Sequence, residues 1–214
     1  MIQLPKHILA FGHRKQHGKD TCCDFLEEYF TENGISYTRT AFAKSLKEQT
    51  AEKYNLDVSL MESEYYKNSS PKNLKGKTVR QVLIEYGLAE RAKEPLVFCR
   101  AAYTECFESG SDFCFMSDFR FPNEGETCDE ILEGYLKERN ITDQTQVPQV
   151  HKILVHRPDG RFVSDGADDQ LPDVSDYWDY VIMNDDKTNN WKETLRSKLL
   201  SYVSKLTEIK SNAF

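Results

Sequence analysis

The chain has 214 residues, 39% of them hydrophobic, 29% charged and 12% aromatic, with a formal net charge of −7. That length and balance suit one α/β domain with a substantial core, and no apolar run approaches the roughly 20 residues that span a bilayer. The acidic balance disfavours broad, non-specific nucleic-acid binding, which needs cations to displace counterions. A local basic cleft stays open, because Arg14, Lys15 and Lys19 lie close together and Lys44 and Lys47 follow.

Met1–Lys6 runs directly into a strand-like segment, which is not the pattern of a signal peptide. Five short, β-rich apolar runs bounded by turn residues predict buried strands at His7–Phe11, Ser36–Phe42, Phe113–Ser117, Lys152–His156 and Tyr180–Asn184. Helical patterns separate them. Thr21–Asn33 places Phe25, Leu26, Tyr29 and Phe30 on one face, with Gly34 as a stop. Ala43–Tyr54 reads as a second helix, Thr78–Ala92 and Pro95–Phe107 as two more joined near Glu94, and Asn190–Leu206 as the last. Residues 57–77 read as a polar, mobile connection, and Tyr135–Gln149 as a surface excursion. Strands alternating with helices imply a mostly parallel sheet covered on both faces. The expected layout is a single three-layer α/β domain over 1–214, with five strands, a helical insertion at about 57–110 between the second and third strands, and a lid-like loop at about 157–179. The six cysteines form no CxxC pair, as expected of reduced thiols in a cytosolic protein. His13 and His17 precede a helix instead of sharing one, which argues against a zinc site.

The stretch from Ile8 to Thr21 carries the functional argument. A hydrophobic strand runs into a polar loop, and Gly18-Lys19 opens an amphipathic helix. That is the setting of a phosphate-binding loop, where backbone N–H groups and the positive helix end face phosphate oxygens. Gly18 would let the backbone approach the phosphates, and Lys19 would bridge the β- and γ-phosphates of ATP. The spacing departs from G-x-x-x-x-G-K, because His13 stands where the first glycine is usual and Gly12 comes one residue earlier. Asp20 stands where a Ser or Thr usually ligates Mg2+, followed by Thr21; a carboxylate is a competent ligand there.

Gly18-Lys19-Asp20-Thr21, Phe42-Ala43-Lys44-Ser45-Leu46-Lys47, Thr78-Val79-Arg80-Gln81-Val82-Leu83 and Ser117-Asp118-Phe119-Arg120-Phe121-Pro122-Asn123-Glu124 occur in that order. Together they resemble the phage-type deoxynucleoside monophosphate kinases, a branch of the P-loop nucleotide kinases. His156-Arg157-Pro158 and the segment from Tyr180 to Asp185 also fall in family order, whereas Arg161–Asp165 keeps only part of the family's H-x-[ST]-E element. The resemblance implies a P-loop kinase fold and ATP- and Mg2+-dependent phosphorylation of a deoxynucleoside monophosphate in the cytoplasm, that of the host cell if the chain is phage-encoded. It leaves a homodimer open.

On that reading His13, Arg14, Lys15, Gln16, His17, Gly18, Lys19, Asp20, Thr21 and Arg157 form the ATP side. Asp20, Thr21 and Asp118 are the metal candidates, and Lys19, Asp118 and Arg120 the catalytic ones. Lys47, Arg80, Arg120 and Glu124 are the acceptor candidates, with Lys44 a weaker one. Asp118 has a second reading as a helix N-cap partner, and Glu124 as a brace for Arg120. Phe42, Phe119 and Phe121 are candidates to stack a base or to fill the core. Two other activities share these residues: a kinase acting on a modified base in DNA or on another small acceptor such as dephospho-coenzyme A, and a weakly catalytic nucleotide-binding module.

Overall fold

The computed structural model describes residues 3–12, 14–142, 146–158, 171–172 and 175–208. Five strands, β1 (His7–Gly12), β2 (Tyr37–Thr40), β3 (Phe113–Phe119), β4 (Gln149–His156) and β5 (Tyr180–Met183), form one sheet in the order β2-β3-β1-β4-β5. Every pairing is parallel, so the mostly parallel sheet expected from sequence is wholly so. The helices are α1 (Lys19–Glu32), α2 (Phe42–Tyr54), α3 (Glu64–Lys67), α4 (Val79–Lys93), α5 (Val97–Glu108), α6 (Pro122–Glu126), α7 (Cys128–Glu138) and α8 (Trp191–Glu208). No helix among the described residues is long and apolar enough to cross a membrane.

Alternation along the strands divides the core into two faces, because successive side chains of a strand point to opposite sides. Ile8, Ala10, Cys114, Met116 and Leu154 face α5 and α7, where they meet Tyr103, Phe107, Ile131 and Leu132. Leu9, Phe11, Phe115, Ile153 and Val155 face α1 and α8, where they meet Leu26, Phe30, Leu195 and Leu199. The result is three layers. The chain leaves β1 toward one face and β3 toward the other, which opens a crevice between their carboxyl ends, the place where open α/β sheets bind ligands. All six cysteines are buried as free thiols.

Three local expectations need correction. Residues 57–77 are not a polar connector. They hold a 3-10 turn at Val58–Glu62, the short α3, and a second 3-10 turn at Lys72–Leu74. Met61 and Leu74 are buried there against Ala51, Val79 and Val82 as a third, small core. The expected excursion from Tyr135 shrinks as well, since α7 runs to Glu138, Tyr135 is buried, and β4 starts at Gln149. The second strand stops at Thr40, and Phe42 opens α2 with its ring in the core.

Candidate active site

The loop between β1 and α1 has the geometry of an anion cradle. Gln16 and Gly18 are both left-handed, at φ of 64° and 107°. Gly18 is the N-cap of the 14-residue α1, and no side chain caps that helix end, so its first amides are left for a ligand. A Cβ on Gly18 would come within 3.0 Å of Asn184 Nδ2 and 3.3 Å of Leu195, so the position demands glycine twice over. Asn184, buried at the end of β5, donates from Nδ2 to the His17 carbonyl at 2.9 Å. His17 is buried too; its Nδ1 accepts the Arg157 amide at 3.2 Å, and its ring meets His156 edge-on. One residue of the loop is thereby tied to the ends of both β4 and β5. Lys15 and Gln16 are exposed, Arg14 and Thr21 half-buried, and His13 lies outside the described residues, as does the Arg161–Asp165 element.

Lys19 stands apart among the lysines. Its side chain is 8% exposed, and its Nζ lies 3.8 Å from Asp20, whose side chain is 67% exposed. A long cationic side chain held this deep requires an anion nearby, and Asp20 reaches it only from the solvent side. Gly12, just before the loop, has no room for a Cβ, which would sit 2.6 Å from Trp178 Cη2.

At the neighbouring strand end, Ala10 pairs with Met116 but Gly12 with Phe119, so β3 carries one extra residue around Ser117 and Asp118. Such a bulge re-aims a side chain, and here Asp118 turns onto α2. Its Oδ1 accepts the Phe42 amide at 2.9 Å and its Oδ2 the Ala43 amide at 2.8 Å. Asp118 therefore pins the start of α2 to the end of β3, the helix-capping role weighed for it from sequence. Glu124 is 3% exposed, and its Oε2 accepts the amides of Arg120 at 2.7 Å and Phe121 at 3.1 Å. Burial, and then the Asp118 charge, pushes it up to about 8, against the pull of those amides and of Arg91. Glu124 is thus a buried brace for the turn, the second role weighed for it from sequence. Phe42 and Phe119 are fully buried in the core, which removes them as base-stacking candidates, and Phe121 lies under the Arg91 guanidinium at 4.8 Å. Arg120 and Arg157 are half-buried beside these strand ends.

Across the crevice, the short α3 brings the acidic Glu64 onto the loop, with Lys67 and Arg80 gathered around it. Glu64 Oε2 lies 2.9 Å from Lys15 Nζ and 2.7 Å from Arg80 Nη2, and Glu64 Oε1 lies 3.5 Å from Lys67 Nζ. Arg80 Nε also donates to Asn68 at 3.3 Å, and Lys47 pairs with Glu62 at 2.6 Å. The hydrogen bond from Lys15, with Arg80 and Lys67 behind it, holds Glu64 below the usual carboxylate range. Burial, and then repulsion from Lys47, pulls Lys67 below its ordinary value, against Glu64 and Glu62. Lys15, Lys47 and Arg80 were singled out from sequence; Lys67, Glu64 and Asn184 were not. Lys44 is drawn off to Glu105 at 2.6 Å on the far side of α2.

The model of the phosphomevalonate kinase family matches residues 11–133, more than half of the chain. The match spans the phosphate loop, the basic cluster and the Asp118–Glu124 turn, and the chain belongs to this family of small-molecule kinases. The family is a different one from the phage-type nucleotide kinases that the motifs resemble. No curated protein matches the chain.

Proposed function

We propose that this chain transfers the γ-phosphate of ATP to a small phosphorylated acceptor whose anionic end is held by Lys15, Lys47, Lys67 and Arg80. The observation that carries the reading is one shared oxygen: Glu64 Oε2 is gripped at once by Lys15 from the phosphate loop and by Arg80 from α4. Cations from the donor side and the insertion thus already converge on a single anion. Lys15, Lys47, Lys67 and Arg80 gather around the carboxylates of Glu62 and Glu64, a clustering of cations that suits an incoming dianion.

Phosphoryl transfer needs alignment and charge neutralisation more than covalent chemistry. An acceptor phosphate oxygen attacks the γ-phosphorus, the bond to the β–γ bridging oxygen breaks, and ADP leaves with that electron pair. Lys19 is placed to follow the charge that moves across, while the first amides of α1 hold the phosphates. Arg120 and Arg157 flank the transfer from the ends of β3 and β4. Asp20 and Thr21, exposed and half-buried on the first turn of α1, supply oxygen donors of the kind Mg2+ takes, and that ion would neutralise phosphate charge when bound.

The family's name points to 5-phosphomevalonate, which carries both a phosphate and a carboxylate and so suits a cluster of several cations. A second reading, a deoxynucleoside monophosphate, is favoured by the ordered motifs up to Glu124, but it loses Phe42 and Phe119 as partners for a base. Turnover of ATP and Mg2+ against 5-phosphomevalonate, a panel of dNMPs, and no acceptor tests both. ADP release that depends on 5-phosphomevalonate is the expected result. Turnover only with a dNMP selects the second reading, and no acceptor-dependent turnover with either overturns the proposal.

A further inference from the structure

We propose that Glu64 is a built-in stand-in for the acceptor's anionic group, a carboxylate that sits in the basic cluster and is displaced when the acceptor binds. The inference rests on the reading of that cluster as the acceptor site, and goes beyond it by assigning Glu64 a competitive role.

Three observations carry it. The first is the bonding pattern: Oε2 bridges Lys15 and Arg80 at 2.9 and 2.7 Å while Oε1 faces Lys67 at 3.5 Å. A phosphate oxygen bound by two cations would take the same position. The second is how lightly Glu64 is held. Its side chain is 49% exposed, and the α3 residue that packs on the small core is Tyr66, so the Glu64 carboxylate can swing aside without uncovering that core. The third is charge. Glu64 sets a single negative charge against Lys15, Lys67 and Arg80, with Glu62 and Lys47 beside them, whereas a phosphate dianion brings two. A bound anion therefore gains more from the cluster than Glu64 does, while Glu64 keeps the cations gathered until it arrives.

An internal competitor scales apparent affinity down to the fraction of time it leaves the site open. Exposed ion pairs are individually weak, so the expected cost is a factor of about three to ten. The sign separates this role from a merely structural one. Glu64→Gln and Glu64→Ala should each bind inorganic phosphate about three- to tenfold more tightly by calorimetry in the presence of ADP. They should lower the acceptor KM by a similar factor, with kcat little changed. Arg80→Met should weaken phosphate binding, and the gain from Glu64→Gln should vanish in the Glu64→Gln/Arg80→Met double variant. Unchanged or weaker phosphate binding in both Glu64 variants, with Arg80→Met still weakening it, overturns the stand-in and leaves the acceptor site intact. If Arg80→Met and Lys67→Met change neither phosphate affinity nor acceptor KM, the acceptor site and the stand-in fall together.

Discussion

The two sides of the crevice are built by different physics. The phosphate loop is held by the core: Ile8 to Gly12 are buried in the central strand, Asn184 fixes the His17 carbonyl, and Gly18 is wedged against Asn184 and Leu195. Removing such a buried hydrogen-bond partner costs about 1–3 kcal/mol, because the orphaned carbonyl stays dry. The basic cluster opposite is held by half-exposed ion pairs over a small core of Met61, Leu74, Val79, Val82 and Ala51. Pairs of that kind contribute about 0–1 kcal/mol each. The phosphate loop is thus preformed in the backbone, while the proposed acceptor side is set by side-chain electrostatics and can be rearranged at low cost.

That contrast can be broken most sharply at Lys19. Lys19→Met should lower kcat by about a thousandfold or more, by loss of charge compensation at the transferring group. The thermal midpoint should stay within a few degrees. A comparable loss of kcat from Lys67→Met would erase the distinction between the two sides. Asp118 joins them, since it spans from β3 to the start of α2. Asp118→Ala should cost about 1–2 kcal/mol in denaturant unfolding, the range for a lost helix cap, and should raise the acceptor KM more than that for ATP. A loss of kcat without any loss of stability would instead make Asp118 a participant in the chemistry.

A pH effect sharpens the picture of the turn beneath Arg120. Glu124, pushed up to about 8, keeps a proton in the folded chain that the unfolded chain releases above its ordinary value of 4.5. The folded state then binds more protons than the unfolded one, so this contribution to stability is fully present below about 4.5 and drains away as pH rises to about 8. Glu124→Gln retains an oxygen for the two amides and should flatten the thermal midpoint across that window. An unaltered slope would mean that Glu124 is ionised throughout.

The five strands and the loop from Gly12 to Thr21 were legible because each is a local pattern, a short β-rich run or a glycine–lysine pair at a helix start. α7 was passed over although Cys128, Ile131, Leu132 and Tyr135 repeat at helical spacing and are all buried; the polar residues after Tyr135 drew the reading toward a loop. The small core at Met61 and Leu74 left a fainter mark, since its apolar residues are scattered among lysines and serines. Asp118 and Glu124 stood out by motif, but a motif does not say that a bulge turns one onto α2 and that burial closes around the other. Glu64 carried no signal at all. Its meaning lies in Lys15, which is 49 positions away in the chain.

Trp178, packed over Gly12 and edge-on to Phe119 at 5.6 Å, gives the molecule its own optical gauge. An indole is sensitive to the polarity and packing around it, and this one rests on the last residue before the phosphate loop. The only other tryptophan, Trp191, opens α8 on the opposite face of the sheet. A Trp191→Phe chain would therefore emit from a single fluorophore seated at the crevice floor, and nucleotide titrations could be followed by light without attaching a dye.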